Sequence, residues 1–93
     1  MDKGLILGFI ANRVLPKSEY KRLTSKFTKG HQNGIAVYDT AKMYKVLSKV
    51  EQLKPYVDDF DKLDYLIEHG RLNEARSIIE GKQQAIVGEQ HNA

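Results

Sequence analysis

Two runs of cations carry the clearest chemistry in this sequence. Lys21, Arg22, Lys26 and Lys29 fall close together, and Lys42, Lys45 and Lys49 follow at helical spacing. Cations repeated along a helix face suit a ladder of negative charge, and the phosphates of a nucleic acid form such a ladder. If the two helices lie side by side, these seven side chains straddle successive phosphates, or meet an acidic protein instead. The plain alternative is that lysine solvates two helix faces. Tyr38 and Tyr44 stand near the basic run and are candidates for stacking on bases, whereas Tyr20 and Phe27 have core spacing.

Catalytic and metal chemistry have weaker footholds. Asp58, Asp59, Asp61 and Asp64 offer the carboxylates that hard cations take, yet no glycine lies inside the cluster and Phe60 and Leu63 interleave at core spacing. They read as a solvated acidic helix face, a natural complement to the lysine ladders. His31, His69 and His91 belong to no ligand motif and read as loop or cap residues. The sequence contains no cysteine, which removes disulfides, thiolate metal sites and thiol nucleophiles and fits a cytoplasmic protein. There is no phosphate-binding glycine loop and no nucleophile elbow. The expectation is a binding protein, not an enzyme, without cofactor or metal.

Helices must position these groups. Leu5, Ile6, Phe9, Ile10 and Val14 follow helical spacing with Leu7 on a second flank, so the first helix is apolar nearly all round. Such a helix is central in the core or buried against another subunit, which makes Leu5, Ile6, Phe9 and Ile10 candidate interface residues. Gly4 and Gly8 permit close helix contact. The apolar run is too short to span a bilayer and lacks a convincing cleavage site. Pro16 ends this helix and opens a second, predicted to run to about Lys29 with Gly30 as its stop. Tyr20, Leu23, Thr24 and Phe27 form its core stripe, opposite the cations.

Residues 30–34 read as a loop, and Asn33-Gly34 favours a positive-φ turn. Ile35 to Tyr38 suits a short extended segment, although Lys-Phe-Thr-Lys supplies a poor partner strand for a hairpin. Asp39 or Thr40 caps a third helix predicted through about Leu53, with Met43, Val46, Leu47, Val50 and Leu53 as its apolar stripe. Pro55 opposes continuation by roughly 3 kcal/mol, so a break is expected at Lys54-Pro55, with a new helix whose first turn carries Asp58 and Asp59. That helix should end near His69 before Gly70. Asn73 is expected to cap a last helix to about Ile86, with Ala75, Ile78, Ile79, Ala85 and Ile86 inward and Gly81 a weak point.

Residues 66–79, from Leu66 through Gly70, Arg71 and Ala75 to Ile79, resemble the helical hairpin of tetratricopeptide-type repeats. The resemblance covers part of one unit, without a second copy, and implies an antiparallel helix pair and no particular activity.

Length and charge complete the expectation. At 93 residues the chain suits one helical domain over 1–87 and a polar tail over 88–93. The fold class is all-α: a compact bundle of four to five short helices with an irregular or briefly extended segment near residues 30–38. Residues 1–50 carry a net +7 and residues 51–93 a net −4, together the +3 of the chain. This asymmetry favours a nucleic-acid-associated regulator over a protein-interaction module, such as an inhibitor, adaptor or assembly component of phage or mobile-element type. Opposite charges on the halves also suit a homo-oligomer, and no membrane contact is expected.

Overall fold

The computed structural model describes residues 2–91, with side chains as far as Val87, and in it the apolar first helix, α1 (Lys3–Val14), packs against every other helix. Its Ile6, Leu7, Ile10 and Ala11 are buried in the chain's own core. Asp2 caps its start, its carboxylate accepting the Gly4 N–H at 2.9 Å. That bond, reinforced by the Thr40 hydroxyl, holds the Asp2 carboxyl below the ordinary carboxylate range. A folded-state pKa lowered this way contributes stability above the unfolded value, lost as pH falls through the folded value. Asp2→Ala is therefore expected to lower Tm near pH 7, with the deficit against wild type shrinking below about pH 4. An equal deficit at low pH would show that the carboxylate's charge is irrelevant.

The second helix, α2 (Lys17–Thr24), stops well short of Lys29. Hydroxyl side chains account for this: Thr24 Oγ1 donates to the Lys21 carbonyl at 2.8 Å, Ser25 Oγ to Arg22 at 2.7 Å and Thr28 Oγ1 to Thr24. Such bonds offer the last carbonyls an alternative to continued helix. Phe27, 1% exposed, then anchors a turn into the core.

A hairpin follows, β1 (Thr28–Gln32) and β2 (Ile35–Tyr38), where the weak partner run had argued against one. Both turn residues have positive φ, Asn33 at 53° and Gly34 at 78°, which is the primed turn that matches strand twist. A bulge between Thr28 and Gly30 brings Thr28 opposite Tyr38. Turn chemistry and the bulge outweighed the poor strand propensity of Thr-Lys-Gly-His-Gln. Gly30 is thus a strand residue and not a helix stop.

The third helix, α3 (Thr40–Leu47), starts where the cap residue predicts, with Asp39 accepting the Lys42 N–H at 3.2 Å. It ends before Leu53. Ser48 Oγ donates back to the Lys45 carbonyl, and Val50 is extended at ψ 119°. Pro55 does not open an α-helix; it lies within a 3₁₀ helix, Glu51–Asp59. Its missing N–H and its clash with the preceding residue disfavour α geometry. The three-residue 3₁₀ turn instead aligns Leu53 and Tyr56, each 1% exposed, on one buried side. Asp58 and Asp59 accordingly sit at the end of this segment, and the next helix, α4 (Phe60–Glu68), carries Asp61 in its first turn.

Gly70, at φ 69°, ends α4 as read from the sequence. The Arg71 N–H reaches the Leu66 carbonyl at 2.8 Å and the Gly70 N–H reaches Ile67 at 3.1 Å, the paired bonds of a Schellman stop. The last helix, α5 (Leu72–His91), begins one residue before Asn73 and packs back on α4 as the resemblance implied. Ala75 and Ile79 are buried, but Ala85 is exposed, because α5 outruns the core it packs on. The helix passes through Gly88 to His91, where a polar tail was expected; Asn92 and Ala93 lie outside the described residues. Lys82 ties α5 down, donating to the Pro55 carbonyl and pairing with Asp59 Oδ2, both at 2.7 Å. No helix among the described residues is long and apolar enough to cross a membrane.

Candidate nucleic-acid interface

α2 and α3 pack against each other, and that contact decides which cations converge. Lys26, in the turn leaving α2, and Lys45 and Lys49, on α3 and the turn after it, line one open groove floored by Leu23, Val46 and Val50. The three lysines are exposed, the floor is buried or half-buried, and no carboxylate lines the groove. Apolar stems can lie along such a floor while the ammonium groups stay in water.

Lys21 and Arg22 are exposed on the last turn of α2, Lys29 on β1 at the bulge and Lys42 on the first turn of α3. They surround the converging trio in sequence without lining its groove. From Tyr20 to Val50 the only carboxylate is Asp39, already committed to capping α3. Among the described residues none of the seven cations has an ion-pair partner. Ion pairs lie elsewhere, among them Lys54–Glu51, Arg71–Glu74 and Lys82–Asp59. Unneutralised cations over a low-dielectric floor create the positive potential that attracts polyanions.

The aromatic candidates divide. Tyr38 is half-buried and meets Phe27 edge-on, with ring centroids 5.2 Å apart. Tyr44, 43% exposed, turns to a different cleft with Lys3, Leu7, Leu53 and Val57. Neither lines the lysine groove. Burial raises the Tyr20 pKa, with Tyr38 nearby adding to it, as suits the core wall. The interface candidates on α1 divide too: Ile6 and Ile10 are enclosed by the chain's own core, Phe9 is half-buried and Leu5 is 40% exposed.

The acidic cluster is spread over two elements, with Asp59 engaged by Lys82. Among the described residues no three His, Asp or Glu side chains are grouped to hold a metal ion. His69 caps the end of α4 and stacks on Tyr65 at 4.1 Å, His31 is exposed on the hairpin, and the His91 side chain is outside those described.

Sequence spacing missed the groove floor. Val46 and Val50 looked like ordinary core, and it is the packing of α2 on α3 that brings Lys26 over them. The hairpin was missed as well, although Asn33-Gly34 was its visible signal. Compared with protein-family models, curated proteins and solved structures, the chain matches none.

Proposed function

We propose that this chain is a small, non-enzymatic nucleic-acid-binding protein of the regulatory kind, presenting Lys21, Arg22, Lys26, Lys29, Lys42, Lys45 and Lys49 to the phosphate backbone. One observation carries the reading: Lys26, Lys45 and Lys49 converge from two elements on one groove that holds no carboxylate. Cations spread to solvate a surface have no reason to converge, and three of those elsewhere on the described surface, Lys54, Arg71 and Lys82, take carboxylate partners at Glu51, Glu74 and Asp59.

The test is fluorescence anisotropy with labelled duplex and single-stranded DNA and RNA across a salt series. Affinity should fall linearly on a logarithmic salt scale, by about 0.9 per phosphate engaged on duplex DNA. No binding at low salt would end the proposal. A second reading, a protein-interaction module of the inhibitor, adaptor or assembly type, is favoured by the cleft between α1, α3 and the 3₁₀ helix. There the exposed Tyr44 and Val57 flank Leu7, Leu47 and Phe60. Light scattering on the same samples separates the two: a stable oligomer without nucleic-acid affinity supports the second.

A further inference from the structure

The hairpin is the one element that the lysine groove does not use and the core does not need beyond its base. Its root is fixed: Phe27 is buried, Tyr38 packs edge-on against it, and the Asp39 N–H bonds to the Phe27 carbonyl at 2.8 Å. From Lys29 to Ile35 every residue is exposed. A two-stranded hairpin is marginal in isolation, so a rooted, projecting one with a matched primed turn needs an explanation.

We infer that this hairpin is a ribbon that enters the major groove of B-form duplex DNA and leads with Gln32 and Ile35, a placement that rests on the nucleic-acid reading proposed above and narrows its ligand to the DNA duplex. Charge permits the approach, because residues 20–38 contain no carboxylate and Lys29 stands on the ribbon. Size fits as well. Two strands with their side chains are about 10 Å across and the B-form major groove is about 12 Å wide, whereas the A-form RNA major groove is too narrow. A strand the length of β1 extends roughly 17 Å, enough to reach a groove floor about 8.5 Å deep.

Register then decides which side chains lead. Cross-strand partners share a face, so Gln32 with Ile35 and Gly30 with Val37 lie on one side, while Thr28 with Tyr38 and His31 with Ala36 lie on the other. Tyr38 meets the core through Phe27, and on the other face Val37 is half-buried near the root while Gln32 and Ile35 stand exposed beside the turn. A glutamine amide matches adenine N6 and N7, and an aliphatic tip suits the thymine methyl. Ile35, 71% exposed, is the most exposed large apolar side chain described. A directly opposed Gln–Ile pair is thus built to read an A·T pair.

The full-length protein is tested against duplex DNA, the same sequence as a single strand, and the corresponding RNA duplex, with methyl green and netropsin as competitors for the major and minor grooves. The inference expects duplex DNA to bind about tenfold more tightly than the RNA duplex, and methyl green alone to compete. The double variant Gln32→Ala, Ile35→Ser should lose about tenfold in duplex affinity and any preference for A·T-rich over G·C-rich duplex. Both side chains are exposed, and an unchanged circular dichroism melt verifies the fold. Equal affinity for all three nucleic acids, competition by netropsin alone, or an unaffected double variant overturns the ribbon and leaves the lysine groove standing. A double variant that changes the mass by light scattering without changing affinity makes this face a contact between copies, which also overturns it. Absence of binding to any of the three overturns both proposals.

Discussion

Replacing Lys26, Lys45 and Lys49 together by glutamine is expected to lower affinity for duplex DNA by roughly two to three orders of magnitude at about 0.1 M salt. Each lysine that neutralises a phosphate contributes about 0.9 to the logarithmic salt slope. Near 0.1 M that is about eightfold in affinity apiece, and the slope should flatten by roughly 2.7 for the trio. Stability should hardly change, because the three side chains are exposed and have no ion-pair partner among the described residues. Lys54→Gln with Lys62→Gln is the control for charge lost elsewhere: it removes two cations, from the 3₁₀ helix and α4, away from the groove, and should flatten the slope far less. A trio variant with the wild-type slope would take phosphate off this groove, whatever the total affinity.

The second large effect concerns folding. Gly4→Ala is expected to destabilise the protein by about 2–3 kcal/mol, a fall in Tm of roughly 10–20 °C. Gly8→Ala, one turn further along α1, should stay within about 1 kcal/mol of wild type. Both glycines face α3, but they meet different things. A methyl group at Gly4 would run into the Thr40 carbonyl and the Tyr44 backbone nitrogen, which can move only if α3 moves. At Gly8 it would meet the far end of the Met43 side chain, an unbranched thioether that can swing aside. Alanine also favours helix over glycine by about 1 kcal/mol, which offsets much of the cost at Gly8 and little of it at Gly4. Thermal melts of the two variants side by side test the contrast. Equal shifts would mean that α1 and α3 do not touch as closely as described.

What could be read in advance follows a physical line. Local signals were legible: the all-round apolar character of α1, the Asp39 cap, the Gly70 stop and the sign of each half of the chain. Each depends on residues within a few turns of one another, except the sign of the halves, which is a plain sum over the sequence. Element lengths were not, because they depend on bonds that periodicity does not register. Hydroxyls at Thr24, Ser25 and Thr28 shorten α2, and Ser48 shortens α3. Pro55 was correctly read as hostile to α-helix, yet the chain answered with a tighter helix through it and placed the break earlier, at Val50. The candidate site was half legible. The cations were visible as two ladders, but which three converge depends on how α2 meets α3, and Ile35 looked like one residue of a doubtful strand until its partner Gln32 was known.

The position of α1 bears on how the chain can be divided. The helix that precedes all others in sequence touches α5 at the far end and also α4 and the 3₁₀ helix. α3 covers one side of α1, and the burial of Ile6, Leu7 and Ile10 is completed only with the elements of the acidic half. The boundary in charge near residue 50 is not a boundary in cooperativity. Cutting there would leave α2 and α3 on α1 but strip away the 3₁₀ helix, α4 and α5, exposing apolar surface of α1 that the acidic half covers, so the two signs of charge belong to one folding unit.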